Sequence, residues 1–293
     1  MATIEVNGGI IDYELFGEGP CLVLNAGGRS ARGIPGFQRD HLMKRCSLLL
    51  WDRRNSAGAS DVHLTDAASP MHADADDLHA LLQALDVGQV CVGGGSAGCA
   101  LSLRMAVQYP GVVNSVLAIA PASRDSKVMG GVAEATWSGF VKVAQSRGMS
   151  SVIELSIEAH RRVNEKTGDR LDNPRSWIAS SLEATPANRD RLLDMDPAQF
   201  SEMMLRWGHA TMHGGAMAGL TEEELRSIDV PTLVIAGNDE VHPPESATRL
   251  AACLKHSHAP TVEYPGAEHP DPMTRTRVHM PHIDSFLEET LLS

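Results

Sequence analysis

No run of apolar residues in this 293-residue chain approaches the roughly 18 needed to cross a bilayer. Basic residues are in deficit, with 25 Lys and Arg against 37 Asp and Glu and a formal net charge of −12 at pH 7. Nucleic acids and anionic membranes recruit proteins through a basic face, so neither is an expected partner. Cys21, Cys46, Cys91, Cys99 and Cys253 are scattered, odd in number and free of CxxC spacing. Three of them lie in apolar runs, where a reduced cysteine acts as a small hydrophobe. There is no H-E-x-x-H and no Cys/His pair at zinc spacing, and His256-Ser257-His258 alone is too little for a site, so no metal is expected. No phosphate-loop, flavin, nicotinamide or haem signature is present, so no cofactor is expected either. The first twenty residues contain no basic n-region, apolar h-region or cleavage site, and the chain is expected to be soluble, reduced and cytoplasmic. Repeats and low-complexity tracts are absent.

What the chain does have is 43% hydrophobic and 21% charged residues, enough for a large core and against disorder or a coiled coil. Residues 2–17 read as two strands around Asn7-Gly8-Gly9, residues that tolerate the positive φ of a tight hairpin turn. The later apolar runs are short and continuous. They are Cys21–Leu24, Ser47–Trp51, Gln89–Val92, Val116–Ala120, Thr232–Ala236 and Thr261–Tyr264, most of them ending at Gly or Pro. Such runs suit strands buried on both faces of a parallel sheet. Helical spacing falls between them over 74–85, 98–109 and 244–254, and again over 283–292. This alternation predicts a doubly wound, mostly parallel α/β sheet. From about Ser123 to Thr221 the alternation stops, and helical patterns appear over 132–146, 151–165 and 197–212. A helical cap over 123–221 is therefore expected, inserted in a core of 1–122 and 222–293; ordinary peripheral helices are the alternative.

The sharpest local signal is Gly94-Gly95-Ser96-Ala97-Gly98, placed directly after a strand and before a helix. In that context G-x-S-x-G marks a serine at the apex of a sharp turn. Glycines two residues to either side remove the Cβ atoms that would clash there. The Ala97 N–H, at the helix N-terminus, is aimed to stabilise an oxyanion. Ser96 is thus the candidate nucleophile.

With this motif the chain resembles the α/β-hydrolase superfamily over nearly its whole length. Asp52-Arg53-Arg54-Asn55-Ser56-Ala57-Gly58-Ala59-Ser60-Asp61 is similar to the family's D-x-R-G-x-G-x-S-D segment, with Asn55 in place of the first Gly. The resemblance implies the order Ser, acid, His. It selects Asp239, four residues before Pro243, as the acid, with Glu240 as a minor competitor. For the base it selects His269 in Pro265-Gly266-Ala267-Glu268-His269, with His242 as runner-up. It implies a second oxyanion donor in Asn25-Ala26-Gly27-Gly28-Arg29, namely the Gly28 N–H, although the family's usual His-Gly start is replaced. In these roles His269 takes the Ser96 proton, while Asp239 fixes the imidazole tautomer and stabilises the imidazolium.

Arg29, Arg53 and Arg54 lie at strand ends on the side where open α/β sheets bind ligands. A cation there would favour a carboxylate-bearing substrate, and solvated or structurally paired arginines are the alternative. Met203, Met204, Trp207, Met212 and Met217 are expected either to line an apolar pocket or to form the cap's own core. Arg29 and Trp207 are the candidate substrate-binding residues. The expected activity is hydrolysis of a small carboxylic ester or lactone through an acyl-enzyme. The elbow also resembles that of proline iminopeptidases, with Ala97 where they carry Trp. Carbon–carbon bond hydrolases share the capped architecture but carry Asn where this chain has Gly95. A ligand-binding receptor with a slow triad is the alternative of another class. The expected partner is a small-molecule carbonyl substrate, and formation of a homodimer stays open.

Overall fold

The computed structural model describes residues 2–122, 127–165, 172–213, 219–264 and 272–292. Its strands are β1 (Ala2–Val6), β2 (Gly9–Phe16), β3 (Cys21–Asn25), β4 (Ser47–Trp51), β5 (Val90–Gly95), β6 (Val113–Ile119), β7 (Thr232–Ile235) and β8 (Ser257–His258). They form one sheet in the order β1-β2-β4-β3-β5-β6-β7-β8. β1 and β2 pair antiparallel through a turn in which Asn7 and Gly8 take positive φ, as their residue types predict. β2 runs antiparallel to β4, and the remaining neighbours are parallel.

The central parallel strands, β3 to β7, are buried because helices cover both faces. Leu78, Leu81 and Leu82 of the Pro70–Ala84 helix and Leu101, Leu103 and Met105 of the Ala97–Gln108 helix pack with Val23, Leu49 and Val92 on one face. Leu22, Leu48, Cys91 and Leu117 point the other way, against Ile283, Phe286 and Leu287 of the Pro272–Thr290 helix. This alternation between two covered faces is why each strand reads as a continuous apolar run. The four cysteines in and beside these strands, Cys21, Cys46, Cys91 and Cys99, are buried free thiols. Burial pushes Cys91 and Cys99 up to about 12, so they act as small hydrophobes at neutral pH.

One expected strand does not form. Thr261–Tyr264 has no regular secondary structure, and β7 is bordered instead by the two residues of β8. Pro260 interrupts the ladder because it has no N–H to donate, and Thr261 and Glu263 are exposed where a sheet-buried run would be covered on both sides.

Between β6 and β7 the described chain is helical. Its helices are Lys127–Thr136, Val141–Asn164, Asp172–Arg175, Trp177–Ala184, Asn188–Leu193, Pro197–His213 and Glu222–Ser227, with a 3-10 turn at Ser138–Phe140. The expected single helix over 132–146 is broken at Trp137, and the 151–165 pattern belongs to a helix that begins at Val141 and kinks at Gly148. Trp137, Phe140, Trp177, Phe200, Met203, Met204 and Trp207 form a separate core that also takes in Val62 and Ala73. Buried polar groups tie this layer to the loop after β4. Asn188 accepts from the Val62 N–H and donates to the Ser60 carbonyl, and Trp207 Nε1 donates to the Ala67 carbonyl. Among the described residues no helix is long and apolar enough to cross a membrane.

Candidate active site

In the sheet order β4-β3-β5, the chain leaves β3 toward one neighbour and later returns to its other side. Ligands in open α/β sheets bind at such a switch point, outside the carboxyl ends of the strands. The two segments that end there are the Asn25–Arg29 loop after β3 and the Ser96 turn after β5.

Ser96 has φ 56° and ψ −117°, a conformation costly for a residue with a Cβ, and it directly precedes the Ala97–Gln108 helix. The flanking glycines are needed because β3 passes so close. A Cβ on either Gly94 or Gly98 would collide with the Asn25 carbonyl oxygen. Asn25 itself is buried and pinned from two sides. Its Nδ2 donates to Ser102 Oγ at 3.0 Å, and its Oδ1 accepts from Trp51 Nε1 at 2.8 Å. Ser102 Oγ in turn donates to the Gly98 carbonyl at 2.8 Å. The end of β3 and the first turn of the serine helix are therefore one rigid unit.

Asp239 and His242 lie in the loop after β7. His242 Nε2 is 2.8 Å from Ser96 Oγ, and its Nδ1 is 2.8 Å from Asp239 Oδ1. The same Asp239 oxygen accepts the backbone N–H groups of Val241 and His242, each at 2.9 Å. Arg275 Nη1 stands 3.5 Å from Asp239 Oδ2. Burial works to raise the Asp239 pKa, but the His242 charge and these hydrogen bonds outweigh it and hold the carboxyl below its ordinary value. Chemically, such a chain can pass a proton from Ser96 Oγ to imidazole while an ionised carboxylate holds the far ring nitrogen. Glu240, the competing acid, is exposed. His269 lies outside the described residues, as does Met217.

Gly28, Arg29, Ser96 and Ala97 share one cavity of about 110 Å³ with Pro70, Met71, Met129, Val132, Trp137 and Val241 among its walls. A Cβ placed on Gly27 would stand 3.8 Å from the Ser96 Cβ, which puts the loop after β3 directly beside the serine. Arg29 is the one charged residue among the described lining residues, and its charge is already used. Its guanidinium pairs with Asp74 and donates to the Asn55 and Arg54 carbonyls, and it lies 5.3 Å from the Trp137 ring. Arg54 pairs with Asp77 at 2.5 Å. Both arginines are structurally paired and buried. Trp207, 1% exposed, belongs to the core of the helical layer and is absent from the described cavity wall. Trp137 is the tryptophan that lines it, stacked edge-on to Trp207 with centroids 5.1 Å apart. Sequence periodicity misses Trp137 as a wall residue because it places this ring inside one continuous helix over 132–146 and gives no sign of the break that turns it to the cavity.

Asn55 explains the departure from glycine noted above. It adopts φ 54°, the left-handed region that asparagine tolerates, and its amide bridges both backbone groups of His63.

A mostly parallel α/β sheet with helices on both faces defines a class of fold, and the comparisons agree on that fold. The chain belongs to the alpha/beta hydrolase fold family, whose model matches residues 24–276. No curated protein matches it in sequence. Among solved structures it is similar to a thermophilic esterase from Thermogutta terrifontis, at 20% identity and TM-score 0.62, covering 98% of this chain and 96% of that one. It is similar to the enol-lactonase from Burkholderia xenovorans LB400 at 18% identity and TM-score 0.62, covering 98% and 100%. A meta-cleavage product hydrolase from Pseudomonas fluorescens IP01 matches at 18% identity and TM-score 0.62, covering 99% and 98%. At these identities the likeness is one of fold. Family and fold together place the chain among the alpha/beta hydrolases.

Proposed function

We propose that the protein is a cytoplasmic serine hydrolase of small, uncharged carboxylic esters or lactones, with the helices between β6 and β7 acting as a cap. The observation that carries the reading is the unbroken chain Ser96 Oγ–His242 Nε2, His242 Nδ1–Asp239 Oδ1, both links 2.8 Å, at an apolar cavity. The Ser96 hydroxyl attacks the carbonyl carbon while its proton passes to His242 Nε2. Gly28 and Ala97 N–H groups receive the oxyanion. Collapse of the tetrahedral intermediate expels the alcohol oxygen, which takes the proton back from His242. A water molecule, deprotonated by His242, then attacks the acyl-enzyme. Its oxygen stays in the released acid, and the proton returns to Ser96. Asp239 holds the Nδ1–H throughout and stabilises the imidazolium without itself being protonated. An apolar wall whose Arg29 is already paired favours a neutral substrate over a carboxylate-bearing one. In size the cavity compares with one that admits a small aromatic ring, about 150 Å³, so short acyl groups are the expected fit.

A second reading rests on the Pro265–His269 segment, whose P-G-x-x-H pattern gives the base to His269 and leaves His242 as a loop neighbour. Intact-mass spectrometry after treatment with a fluorophosphonate probe separates the two, using wild type, Ser96→Ala, His242→Ala and His269→Ala. We expect one adduct in wild type, none in Ser96→Ala, a strongly slowed adduct in His242→Ala and a near-normal one in His269→Ala. The reverse ranking of the two histidine variants would transfer the base to His269. A folded wild type that takes no label would remove the enzymatic reading and favour a ligand receptor, and hydrolysis of p-nitrophenyl esters and simple lactones would then be absent as well.

A further inference from the structure

Directly behind the Asn25–Arg29 loop lies an arginine that the reaction as written does not use. Arg53 follows β4 and is 2% exposed, among the largest fully buried side chains of the protein. Its Nη2 donates to the Gly28 carbonyl at 2.6 Å and reaches the Gly27 carbonyl at 3.5 Å. Its Nη1 is buried without a hydrogen-bond partner among the described residues, and Asp74 Oδ2 stands 3.7 Å away. That carboxylate is already engaged by Arg29 through both of its oxygens. The neighbouring Asp52 is taken up by Arg32 and by the Ala59 N–H. Two buried guanidinium groups thus share one carboxylate, and backbone carbonyls supply the remaining partners of Arg53.

For stability alone this is a poor arrangement. Burying a charge without a dedicated counter-ion is costly, and an apolar side chain of similar size would often serve the fold as well or better. Burial, reinforced by repulsion from Arg29, draws the Arg53 pKa down to about 10, which still leaves it charged at neutral pH.

The geometry points to a use for that charge. We infer that Arg53 is a positioning residue for the oxyanion loop: its guanidinium holds the Gly27 and Gly28 carbonyls and so fixes the direction of the Gly28 N–H beside Ser96. The Gly27 carbonyl belongs to the same peptide plane as the Gly28 N–H, so holding the one orients the other. Gly28 sits at φ 51°, where a glycine backbone has several accessible alternatives and must be held by its surroundings. Other anchors complete the frame. Ser30 N–H donates to the Gly27 carbonyl at 3.2 Å, and Ala57 N–H donates to the Arg29 carbonyl at 2.8 Å. Arg53 alone among these anchors adds a full positive charge behind the loop, where it favours negative charge forming at the donor.

The inference rests on the serine-hydrolase reading, and its test keeps the two apart. Wild type, Arg53→Lys, Arg53→Gln and Arg53→Met are assayed with p-nitrophenyl butyrate and titrated with n-butylboronic acid, which forms an anionic tetrahedral adduct on an activated serine. Thermal melts and circular dichroism establish folding. Losing the orientation and charge behind one oxyanion donor is expected to lower kcat of Arg53→Gln about ten- to a hundredfold with KM nearly unchanged. Boronate affinity should weaken by a similar factor, and Arg53→Lys should recover part of both because it keeps the charge. A merely structural arginine would lower the melting temperature without separating kcat from KM. Should Arg53→Met fail to fold, the Lys and Gln variants still give the comparison. A folded Arg53→Gln with wild-type kcat and boronate affinity overturns the inference alone. A wild type that binds no boronate overturns the hydrolase reading, and this inference with it.

Discussion

Gly98→Ala tests the central geometric claim, that the end of β3 and the serine helix are locked at a separation only glycine allows. The added methyl would stand 2.9 Å from the Asn25 carbonyl carbon and 3.0 Å from the Ala26 carbonyl oxygen, with the Asn25 carbonyl oxygen nearer still. Ordinary carbon contacts begin at 3.4 Å, and every obstructing atom is backbone, so no side chain can swing aside to make room. The strand end and the helix must separate by on the order of 1 Å in an interior packed as densely as a crystal. Overpacking of this kind costs about 1–3 kcal/mol, which in a chain of this length corresponds to a fall in Tm of roughly 2–5 °C. Activity should suffer more than stability. The Gly28 loop continues directly from the displaced strand end and Ala97 opens the displaced helix, so the two proposed oxyanion donors move apart. A misplacement of about 1 Å costs on the order of a hundredfold in rate. Steady-state hydrolysis of a p-nitrophenyl ester, paired with a thermal melt, reads both quantities. A folded Gly98→Ala protein with Tm within a degree of wild type and kcat/KM within a factor of two would refute the reasoning.

The two tryptophans should separate wall from core. Trp137→Ala is expected to broaden the acyl-chain range toward longer p-nitrophenyl esters. Trp207→Ala should cost about 3–5 kcal/mol in urea unfolding and leave the chain-length preference in place. Arg29→Met leaves the buried Asp74 without its bidentate partner, and breaking such a pair is worth about 3–5 kcal/mol. Chemical denaturation would show that loss, whereas a stable variant that had merely lost affinity for anionic substrates would restore Arg29 as a substrate ligand. Asp239 bears on acid stability. Its folded pKa is depressed, so its contribution is complete above the unfolded value and disappears as pH falls through the folded one. Asp239→Asn should therefore flatten the loss of stability on acidification through the ordinary carboxylate range, measured by urea midpoints at stepped pH. An unchanged profile would mean that the ionised carboxyl contributes nothing to folding.

Much of the scaffold is legible from local chemistry. Continuous apolar runs reveal the central strands because those strands are buried on both faces, and Asn7-Gly8 reveals the hairpin because few residues accept positive φ. Ser96 is legible for the same reason, since its strained turn demands glycines at fixed offsets. Thr261–Tyr264 misleads because an apolar-leaning run carries no record of whether a neighbouring strand is there to pair with it. The broken helix at Trp137 is hidden because the side chains on either side continue a helical stripe across a change of direction.

What the sequence by itself determined is the set of groups whose chemistry is written in their immediate neighbours: the buried strands and the strained serine, while the acid loop after β7 is selected by the family resemblance. Only the tertiary structure decided which histidine stands 2.8 Å from Ser96, which arginines are neutralised and which tryptophan faces the cavity. Those outcomes depend on distances between segments far apart in the chain. His242 meets a serine 146 positions away, and Arg29 meets an aspartate 45 positions away. A local pattern can specify a turn or a strand face, but pairings of that range are set by how the sheet and its covering helices pack.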